Sequence, residues 1–376
     1  MPNTGVTAAP GIKALCLFTT ILGHKTMVQK LRKALDKIPG LNPTYVFTEV
    51  EDYSRYPAPW WARASDPWHG QYLARQKAKP VLAQEFDILL VNAWELAAGF
   101  RTLAHRIPAA AVMDAVPATF DFQLRLQGAN GWKRSVASRL HNRSFQLATR
   151  EFDVFVPMGS DCAESLQRDY AVDPGQCTAL TLAPQDLEVS GPSIRNYTGG
   201  PTRLLFVGKD FFRKGGEFLL RLFTEHLSDT CRLTIVSSDA GLNGRELPQG
   251  VERFTHISLE RLRDVYRESH IFVFPTQQDF MPQVLAEALA FGLPCIANDV
   301  GAVKDLVRDG ETGFLMARDS TTDQWAERLR RLTSNPAELA EMSFRARSFA
   351  EQELSFDRFE KLIADVVERL RTLSVR

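Results

Sequence analysis

Two carboxylates in the second half of the chain have a spacing suited to ligand binding. Asp279 precedes a predicted helix and Glu287 lies inside it, with seven residues between them. A helix start presents free backbone N–H groups and the positive end of the helix dipole, which favour anions and hydroxyl groups. A carboxylate accepts through two oxygens and suits a vicinal diol such as ribose O2 and O3. Spacing alone also allows a plain loop acid and a surface glutamate.

The residues around these carboxylates predict a strand, a short helix and a second strand. Ile271–Phe274 is apolar and is ended by Pro275, as in a buried strand. Pro282 stands where a first helical position is expected, and Gly292 follows the last periodic residue. Pro294 leads into residues 295–299, which are predicted to form a second buried strand. Such a short βαβ unit has parallel strands and a right-handed crossover.

The start of this helix offers main-chain donors to a ligand. Pro282 has no N–H group, so the donors there are the backbone N–H groups of Met281, Gln283 and Val284. Glu287 has an alanine on each side, which leaves room for a ligand beside its carboxylate.

Two lysines form a second candidate group. Lys209 directly follows Gly208 at the end of a predicted strand, Lys214 precedes Gly215, and a helix begins after this loop. Two cations on a strand-to-helix loop are placed to hold a diphosphate. Exposed lysines alone would mean little, and it is their register relative to the two glycines that favours this interpretation.

These patterns resemble the donor site of the retaining family 4 glycosyltransferases of the GT-B fold. That signature is an acidic residue, seven others, then Glu-Ala in a helix, followed by Gly-x-Pro and a strand. Here Asp279, Glu287-Ala288 and Gly292-Leu293-Pro294 match it. Asp279 departs from the pattern, because the first acid is usually a glutamate, which is longer by one methylene group.

The resemblance implies an α/β protein with two Rossmann-like, doubly wound parallel-sheet domains facing a cleft. It implies transfer of a sugar from a nucleoside-diphosphate sugar to an acceptor hydroxyl, with retention of configuration. No metal or cofactor is implied, and the nucleotide sugar is a co-substrate. By the resemblance, Glu287 binds the ribose, and Lys209 and Lys214, beside Gly208, bind the diphosphate. The sugar is contacted by Asp279 and by Met281, Pro282 and Gln283. The base is contacted near Ile257.

The first half of the chain resembles the family less closely. Gly23, His24, Lys25 and Thr26 follow the first predicted strand and loosely match the loop that faces the donor, although an ordinary helix start explains each of them equally well. This loop is not the GxGxxG of dinucleotide-binding proteins.

Asp114 ends a predicted strand at a point where many relatives have a histidine nearby. The sequence has no histidine beside Asp114, in Met113 to Pro117. By resemblance Asp114 contacts the acceptor or the transferred sugar, and the alternative is a turn cap.

Length and composition fit two domains. The chain has 376 residues with 44% hydrophobic content, enough for two cores. We expect an N-terminal acceptor domain over residues 1–195 and a C-terminal donor domain over 200–355, joined by a linker at residues 188–202 that is rich in Ser, Gly, Pro and Asn. The final helix, residues 356–376, is expected to pack back on the first domain, as in this fold.

Charge and cysteine usage narrow the possible partners and location. With 45 basic and 45 acidic residues, the chain has no net field that would attract nucleic acid. Its five cysteines show no CxxC spacing, which favours reduced thiols and a cytoplasmic protein. A sequence-predicted helix at 131–150 has a basic amphipathic face. That face is either an ordinary solvated surface or a weak peripheral contact with the inner membrane face or a glycolipid acceptor.

Two functions from different classes remain open at this stage. The favoured one is a hexosyltransferase-type enzyme that acts on a carbohydrate or glycolipid acceptor. The alternative is a non-catalytic GT-B protein that binds a nucleotide sugar or a protein partner, since Asp279 is shorter than the usual acid and the histidine near Asp114 is missing. Donor binding without turnover on any acceptor would favour the alternative.

Overall fold

The computed structural model describes residues 11–21, 24–56, 58–59, 66–120, 132–179 and 197–374. The chain divides into two compact units, Met1–Leu180 with Phe359–Arg376, and Thr181–Arg358. The predicted linker at residues 188–202 lies largely outside the described residues, as do Gly23 and Gly131.

Unit 1 contains a five-stranded parallel sheet with helices between the strands. Its strands are β1 (Ile12–Thr19), β2 (Leu41–Thr48), β3 (Ile88–Asn92), β4 (Ala109–Met113) and β5 (Val154–Pro157), in the order β2-β1-β3-β4-β5. Its helices are α1 (Lys25–Leu35), α2 (Asp52–Arg55), α3 (Asp66–Ala78), α4 (Trp94–Ala104), α5 (Trp132–Ala148) and α6 (Ser160–Tyr170).

The core of unit 1 explains why these segments form strands. β4 is apolar along its whole length and β3 is apolar up to its last residue, Asn92, and all residues of both strands are buried, as expected for parallel strands covered on both faces. The chain order reverses between β1 and β3, which is the switch point where ligands gather at the carboxyl ends of the strands.

Unit 2 has a six-stranded parallel sheet in the order β11-β10-β9-β6-β7-β8. The strands are β6 (Thr202–Val207), β7 (Cys231–Val236), β8 (Val251–Phe254), β9 (Ile271–Phe274), β10 (Cys295–Asn298) and β11 (Gly313–Met316). The helices are α7 (Gly216–His226), α8 (Leu259–Glu268), α9 (Gln283–Ala290), α10 (Val303–Leu306), α11 (Thr322–Thr333) and α12 (Pro336–Glu353).

The switch point of unit 2 lies between β6 and β9. These two strands are neighbours, with Leu204 opposite Ile271, although 63 residues separate the end of one from the start of the other by their bounds, Val207 and Ile271. The loops that follow β6 and β9 carry the predicted lysine pair and Asp279. Both predicted groups therefore start from the same edge of one sheet.

The last helix, α13 (Phe356–Ser374), begins at the unit boundary, and its residues from Phe359 onward group with unit 1. Phe359, Ile363 and Leu370 are buried along one face of this helix. Lys37, after α1, forms an ion pair with Glu360. Helix α13 is thus part of the unit whose sheet is made by the first 157 residues.

Element boundaries differ from the sequence-based predictions by a few residues. Pro282 is the N-cap residue of α9 and not its first helical residue, since its ψ of 101° is extended and the helix begins at Gln283. The sequence predicts a short strand from Val251 to Ile257, but β8 ends at Phe254, so Ile257 lies in the loop before α8. Cap and strand ends depend on tertiary contacts that a local pattern does not record.

Candidate functional site

The loops after β6 and β9 bring Lys214 and Asp279 together. The Lys214 ammonium forms an ion pair with the Asp279 carboxylate, and the two side chains are 15% and 12% exposed. The Lys214 Nζ atom also lies 5.4 Å from the centre of the Phe274 ring, at the end of β9. Residues 65 positions apart in sequence thus form one partly buried, oppositely charged pair at the switch point.

Gly215 allows this close approach of the two loops. It has a φ of +82° and is the N-cap residue of α7. A Cβ atom at Gly215 would lie 1.9 Å from the carbonyl oxygen of Pro275, which follows β9. Only glycine meets both requirements, so its position directly after Lys214 fixes where the ammonium group lies.

The Asp279 loop is held by a second glycine, Gly301. Its φ is +54°, and a Cβ atom there would lie 1.9 Å from the carbonyl oxygen of Asp279. The neighbouring Ala302 N–H donates to the Phe280 carbonyl at 3.3 Å. The segment after β10 therefore supports the backbone of the Asp279 loop, in addition to the contact that Gly215 makes with Pro275.

Two arginines that the sequence analysis did not single out also brace this loop. Arg213 donates from Nη1 to the Gln278 carbonyl at 3.2 Å and from Nε and Nη2 to Asp210. Arg318, after β11, donates to the Gln277 carbonyl at 2.8 Å. Both arginines contact main-chain carbonyls that are distant in sequence, and a local pattern does not indicate such contacts. The only sequence signal was that Arg213 directly precedes Lys214.

Glu287 is a buried carboxylate with a buried partner. It lies on α9, is 7% exposed, and accepts a hydrogen bond from the Tyr266 hydroxyl at 2.9 Å. Tyr266 comes from α8 and is fully buried. Burial and the nearby Glu287 carboxylate raise the pKa of Tyr266 well above its usual value, so its hydroxyl remains a donor. The surface-residue alternative for Glu287 is wrong, because the side chain is buried.

The other predicted donor residues of unit 2 lie along the carboxyl edge of the same sheet. Met281 and Pro282 are buried just before α9, and Gln283 is its first residue. Gly208 follows β6, and its N–H donates to the Val236 carbonyl at 3.0 Å. Lys209 is exposed, and its carbonyl accepts from the Ser237 hydroxyl at 3.3 Å. Ile257 is half-buried in the loop after β8, two strands from β6.

In unit 1 the structure brings His24 to Asp114. His24 Nε2 lies 3.2 Å and 3.3 Å from the two Asp114 carboxylate oxygens. His24 is the N-cap residue of α1, and Asp114 directly follows β4. The histidine that was missing beside Asp114 in sequence is thus supplied by the loop after β1, 90 residues earlier. Within the described residues, His24 Nδ1 is buried without a hydrogen-bond partner.

The pKa values of this pair follow from burial and charge. Burial lowers the pKa of His24, but the Asp114 carboxylate and, to a smaller extent, Glu95 outweigh burial and raise it. Burial raises the pKa of Asp114, but the His24 imidazolium outweighs it, and the pKa is lowered. Burial raises the pKa of Glu95. Both shifts favour the ionised form of the pair.

Asn92 fixes the two strands on either side of the unit 1 switch point. Its side-chain oxygen accepts from the Thr19 N–H at 2.6 Å, and its amide donates to the Thr19 carbonyl at 3.0 Å. These two hydrogen bonds join the carboxyl ends of β1 and β3. Thr19 is the last residue of β1, directly before the loop that carries His24. Asn92 is fully buried, so the pair rigidifies the edge on which His24 and Asp114 meet.

The basic helix of the sequence analysis is α5. Its exposed face includes Val136 and Leu140, 46% and 47% exposed, and the exposed arginines Arg139 and Arg143. No helix in the described part of the chain is long and apolar enough to cross a bilayer. Among the described residues, no three His, Cys, Asp or Glu side chains are grouped as metal ligands.

The fold is that of the GT-B class, which confirms the predicted fold class. The sucrose-phosphate synthase of Thermosynechococcus elongatus aligns with a TM-score of 0.76 at 15% identity, covering 96% of this chain and 100% of that one. Anabaena HepE in complex with UDP-glucose aligns with a TM-score of 0.68 at 13% identity, covering 95% and 100%.

The sequence comparisons agree with the fold. Residues 201–335, which make up most of unit 2, match the family model described as glycosyl transferases group 1. The D-inositol 3-phosphate glycosyltransferase of Rhodococcus erythropolis is 30% identical over 229 residues, covering 55% of this chain and 51% of that protein. The chain thus spans about half the length of the relatives it matches. The resemblance to these glycosyltransferases, stated from Asp279, Glu287-Ala288 and Gly292-Leu293-Pro294, is confirmed.

Proposed function

We propose that the protein is a hexosyltransferase-type glycosyltransferase that moves a sugar from a nucleoside-diphosphate sugar to an acceptor hydroxyl. Retention of configuration and independence of metal ions are part of the proposal and come from the family resemblance. The observation that carries it is the Lys214–Asp279 pair at the switch point of the family-matched unit. Two groups identified separately in the sequence, one cationic and one anionic, start from neighbouring strands and meet there.

The chemistry follows from the charges that develop during transfer. Cleavage of the bond between sugar and diphosphate leaves growing negative charge on the diphosphate, which Lys214 and Lys209 stabilise. The start of α9, with the N–H groups of Met281 and Gln283, adds the positive end of the helix dipole, which stabilises the same negative charge. The departing sugar carries positive charge, which a carboxylate such as Asp279 stabilises. Because Gly215 fixes the loop of Lys214 and Gly301 packs against the backbone of Asp279, this arrangement needs little reorganisation.

Unit 1 supplies the proposed acceptor site. His24 and Asp114 present a partly buried imidazole and carboxylate at the carboxyl edge of its sheet, where ligands gather in such folds. Together they donate to and accept from hydroxyl groups, which suits a carbohydrate or glycolipid acceptor. By the family resemblance His24 also belongs, with Gly23, to the loop that faces the donor, and Gly23 is outside the described residues. Inositol 3-phosphate is the first acceptor to test, because the named relatives act on it.

Two observations support a proposed cytoplasmic location with weak contact to the membrane surface. All five cysteines are unpaired, which fits a reducing, cytoplasmic environment. The exposed apolar residues Val136 and Leu140 beside Arg139 and Arg143 suit weak peripheral contact with an anionic membrane. Sedimentation with anionic and neutral vesicles tests this, and Leu140→Ser should reduce binding to anionic vesicles. Equal binding of both proteins would remove the membrane contact from the proposal.

The function is tested in two steps. The first is calorimetric titration and thermal shift with UDP, GDP, ADP and dTDP, since a ligand that binds only the folded state raises the melting temperature. UDP comes first because Anabaena HepE was crystallised with UDP-glucose. Glu287→Ala should abolish the response.

The second step is turnover. The nucleotide sugar whose nucleoside diphosphate binds is incubated with inositol 3-phosphate and a panel of sugar acceptors, with and without EDTA. The configuration of the product's anomeric carbon is read by NMR. A retained anomer formed in EDTA supports every part of the proposal. Nucleotide binding without any product would instead favour a non-catalytic nucleotide-sugar-binding protein.

A further inference from the structure

We propose that Tyr266 is a positioning residue of the nucleotide site. Its hydroxyl holds the Glu287 carboxylate in the orientation that accepts hydrogen bonds from both ribose hydroxyls, and it thereby sets the preference for ribonucleotides over 2′-deoxyribonucleotides. This inference rests on the proposed function, in which Glu287 binds ribose. It adds a residue outside the matched signature and a specificity that the signature itself does not supply.

The contact joins two helices of unit 2, α8 and α9. The Tyr266 hydroxyl donates to Glu287 Oε2 at 2.9 Å, across 21 residues of sequence. Tyr266 is fully buried on α8, and Glu287 is 7% exposed on α9. A buried carboxylate is costly without donors, and the Tyr266 hydroxyl supplies a donor to one of the two Glu287 oxygens inside the unit.

The tyrosine ring has little freedom. It stacks on Phe291, at the end of α9, with the ring centres 5.2 Å apart and an angle of 5° between the planes. It also contacts Phe272 of β9, with centres 6.3 Å apart and an angle of 28°. A ring enclosed in this way keeps its hydroxyl in one place, so the Glu287 oxygen that bonds to it is fixed as well.

A fixed carboxylate matters for a diol ligand. Each ionised carboxylate has about four acceptor sites on two oxygens, so one carboxylate can accept from Tyr266 and from two vicinal hydroxyls. The two ribose bonds form together only when the plane of the carboxylate matches the plane of the diol. A Glu287 side chain that rotates would still accept one hydroxyl, and would therefore distinguish ribose from 2′-deoxyribose poorly.

A purely structural role for Tyr266 predicts a different result when its hydroxyl is removed. If Tyr266 only stabilised the packing of α8 on α9, its removal would lower the melting temperature and weaken all nucleotides alike. If it orients Glu287, its removal weakens ribonucleotides selectively. The ratio of the two affinities therefore separates the two roles, and it is independent of the fraction of protein that is folded.

The experiment compares the wild-type chain with Tyr266→Phe, which keeps the ring and its stacking. Dissociation constants are measured by calorimetry for the ribonucleoside diphosphate that binds best and for its 2′-deoxy counterpart. We expect Tyr266→Phe to weaken the ribonucleotide about tenfold and the deoxynucleotide by less than about threefold, the range for one lost hydrogen bond to a charged group.

Tyr170→Phe is the matched control. Tyr170 is also a buried tyrosine, at the end of α6 in unit 1, and its hydroxyl bonds to Asn142 and to the Ala118 N–H. Its loss removes a buried hydroxyl without touching unit 2, so the ribose-to-deoxyribose ratio should not change. Glu287→Gln should lower the ratio at least as much as Tyr266→Phe.

The possible failures are distinct. If the wild-type chain binds no nucleoside diphosphate, the proposed function fails first. If it binds and Glu287→Gln changes the ratio while Tyr266→Phe does not, the inference about Tyr266 is overturned alone. If Tyr266→Phe does not fold, the double variant Tyr266→Phe with Glu287→Gln is compared with Glu287→Gln. Equal ratios support action through Glu287, and a further fall in the double variant contradicts it.

Discussion

The Lys214–Asp279 ion pair leads to a prediction with an unusual sign. In the proposed site the Lys214 ammonium is shared between Asp279 and the diphosphate of the ligand. Without ligand it is paired with Asp279, and both side chains are less than one sixth exposed. Replacing Asp279 by asparagine frees the ammonium and removes a negative charge next to the diphosphate. We therefore expect Asp279→Asn to strengthen the binding of the free nucleoside diphosphate.

The size of the effect follows from the burial of the pair. A hydrogen bond to a charged group contributes about 1.5–3 kcal/mol net. Two unit charges about 4 Å apart interact with about 4 kcal/mol at an effective dielectric constant of about 20, which is an upper bound for this partly exposed pair. Asparagine still accepts a hydrogen bond from Lys214 and recovers part of this. A gain of about 1–2 kcal/mol, or about 5- to 30-fold in affinity, is the expected result.

The intact nucleotide sugar should behave differently. Asp279 is proposed to contact the sugar, so Asp279→Asn loses those contacts while it frees Lys214. The affinity of the nucleotide sugar should rise by less than that of the free nucleoside diphosphate, and turnover should fall. The ratio of the two affinities, measured by calorimetry, reports the role of Asp279 independently of the absolute values.

Asp210→Asn is the control for this prediction. Asp210 lies on the same loop and forms an ion pair with Arg213, but its side chain is 61% exposed. Exposed pairs contribute little, so Asp210→Asn should change the affinity by less than about twofold. Unchanged or weaker binding of the nucleoside diphosphate to Asp279→Asn would refute the idea that Lys214 serves both partners.

Three further predictions follow from unit-specific features. Gly301→Ala should lower the thermal midpoint and weaken nucleotide binding, because its Cβ would lie 1.9 Å from the carbonyl oxygen of Asp279. Gly244→Ala is the control, since Gly244 has a φ of +73° and nothing within 4 Å of its Cβ position. It should lower the stability by only about 1 kcal/mol of backbone strain. The raised pKa of His24 adds stability that is present below its unfolded pKa of 6.5 and is lost as pH rises through its folded pKa. The thermal midpoint of the wild-type chain should therefore fall as pH rises above 6.5, and His24→Gln should reduce this fall. The lowered pKa of Asp114 adds stability that is present above 3.8 and is lost as pH falls through its folded value, so Asp114→Asn should reduce the acid sensitivity that remains after Glu95 is protonated. Midpoints that are identical to wild type across the whole pH range would contradict both pH predictions.

The sequence predicted the local elements of the site well. The strand, loop, helix and strand from Ile271 to Asn298 agree with β9, α9 and β10. The apolar runs, the punctuation by Pro275 and Gly292 and the two alanines beside Glu287 are all properties of neighbouring residues. Burial periodicity and turn chemistry act over such short distances, and they are therefore readable without a structure.

The sequence did not predict the pairings within each unit. Tyr266 was assigned only to a helix, because nothing in its neighbourhood indicates that its hydroxyl reaches Glu287 on another helix. His24 was matched to a loop, and Asp114 was described as lacking a histidine, although the two side chains meet. These contacts depend on strand order, helix rotation and loop path, which are set by the packing of the whole unit.

What the sequence alone determined is which chemical groups the protein presents at each loop: an acid before α9, a glutamate within it and cations after β6. These are fixed by residue type and by local spacing. What only the tertiary structure decided is which of them act together, because β6 and β9 become neighbours through the order of the sheet, and Gly215 and Gly301 let their loops approach within contact distance. Proximity of residues 65 positions apart is a property of the packed sheet, and it brings Lys214 to Asp279.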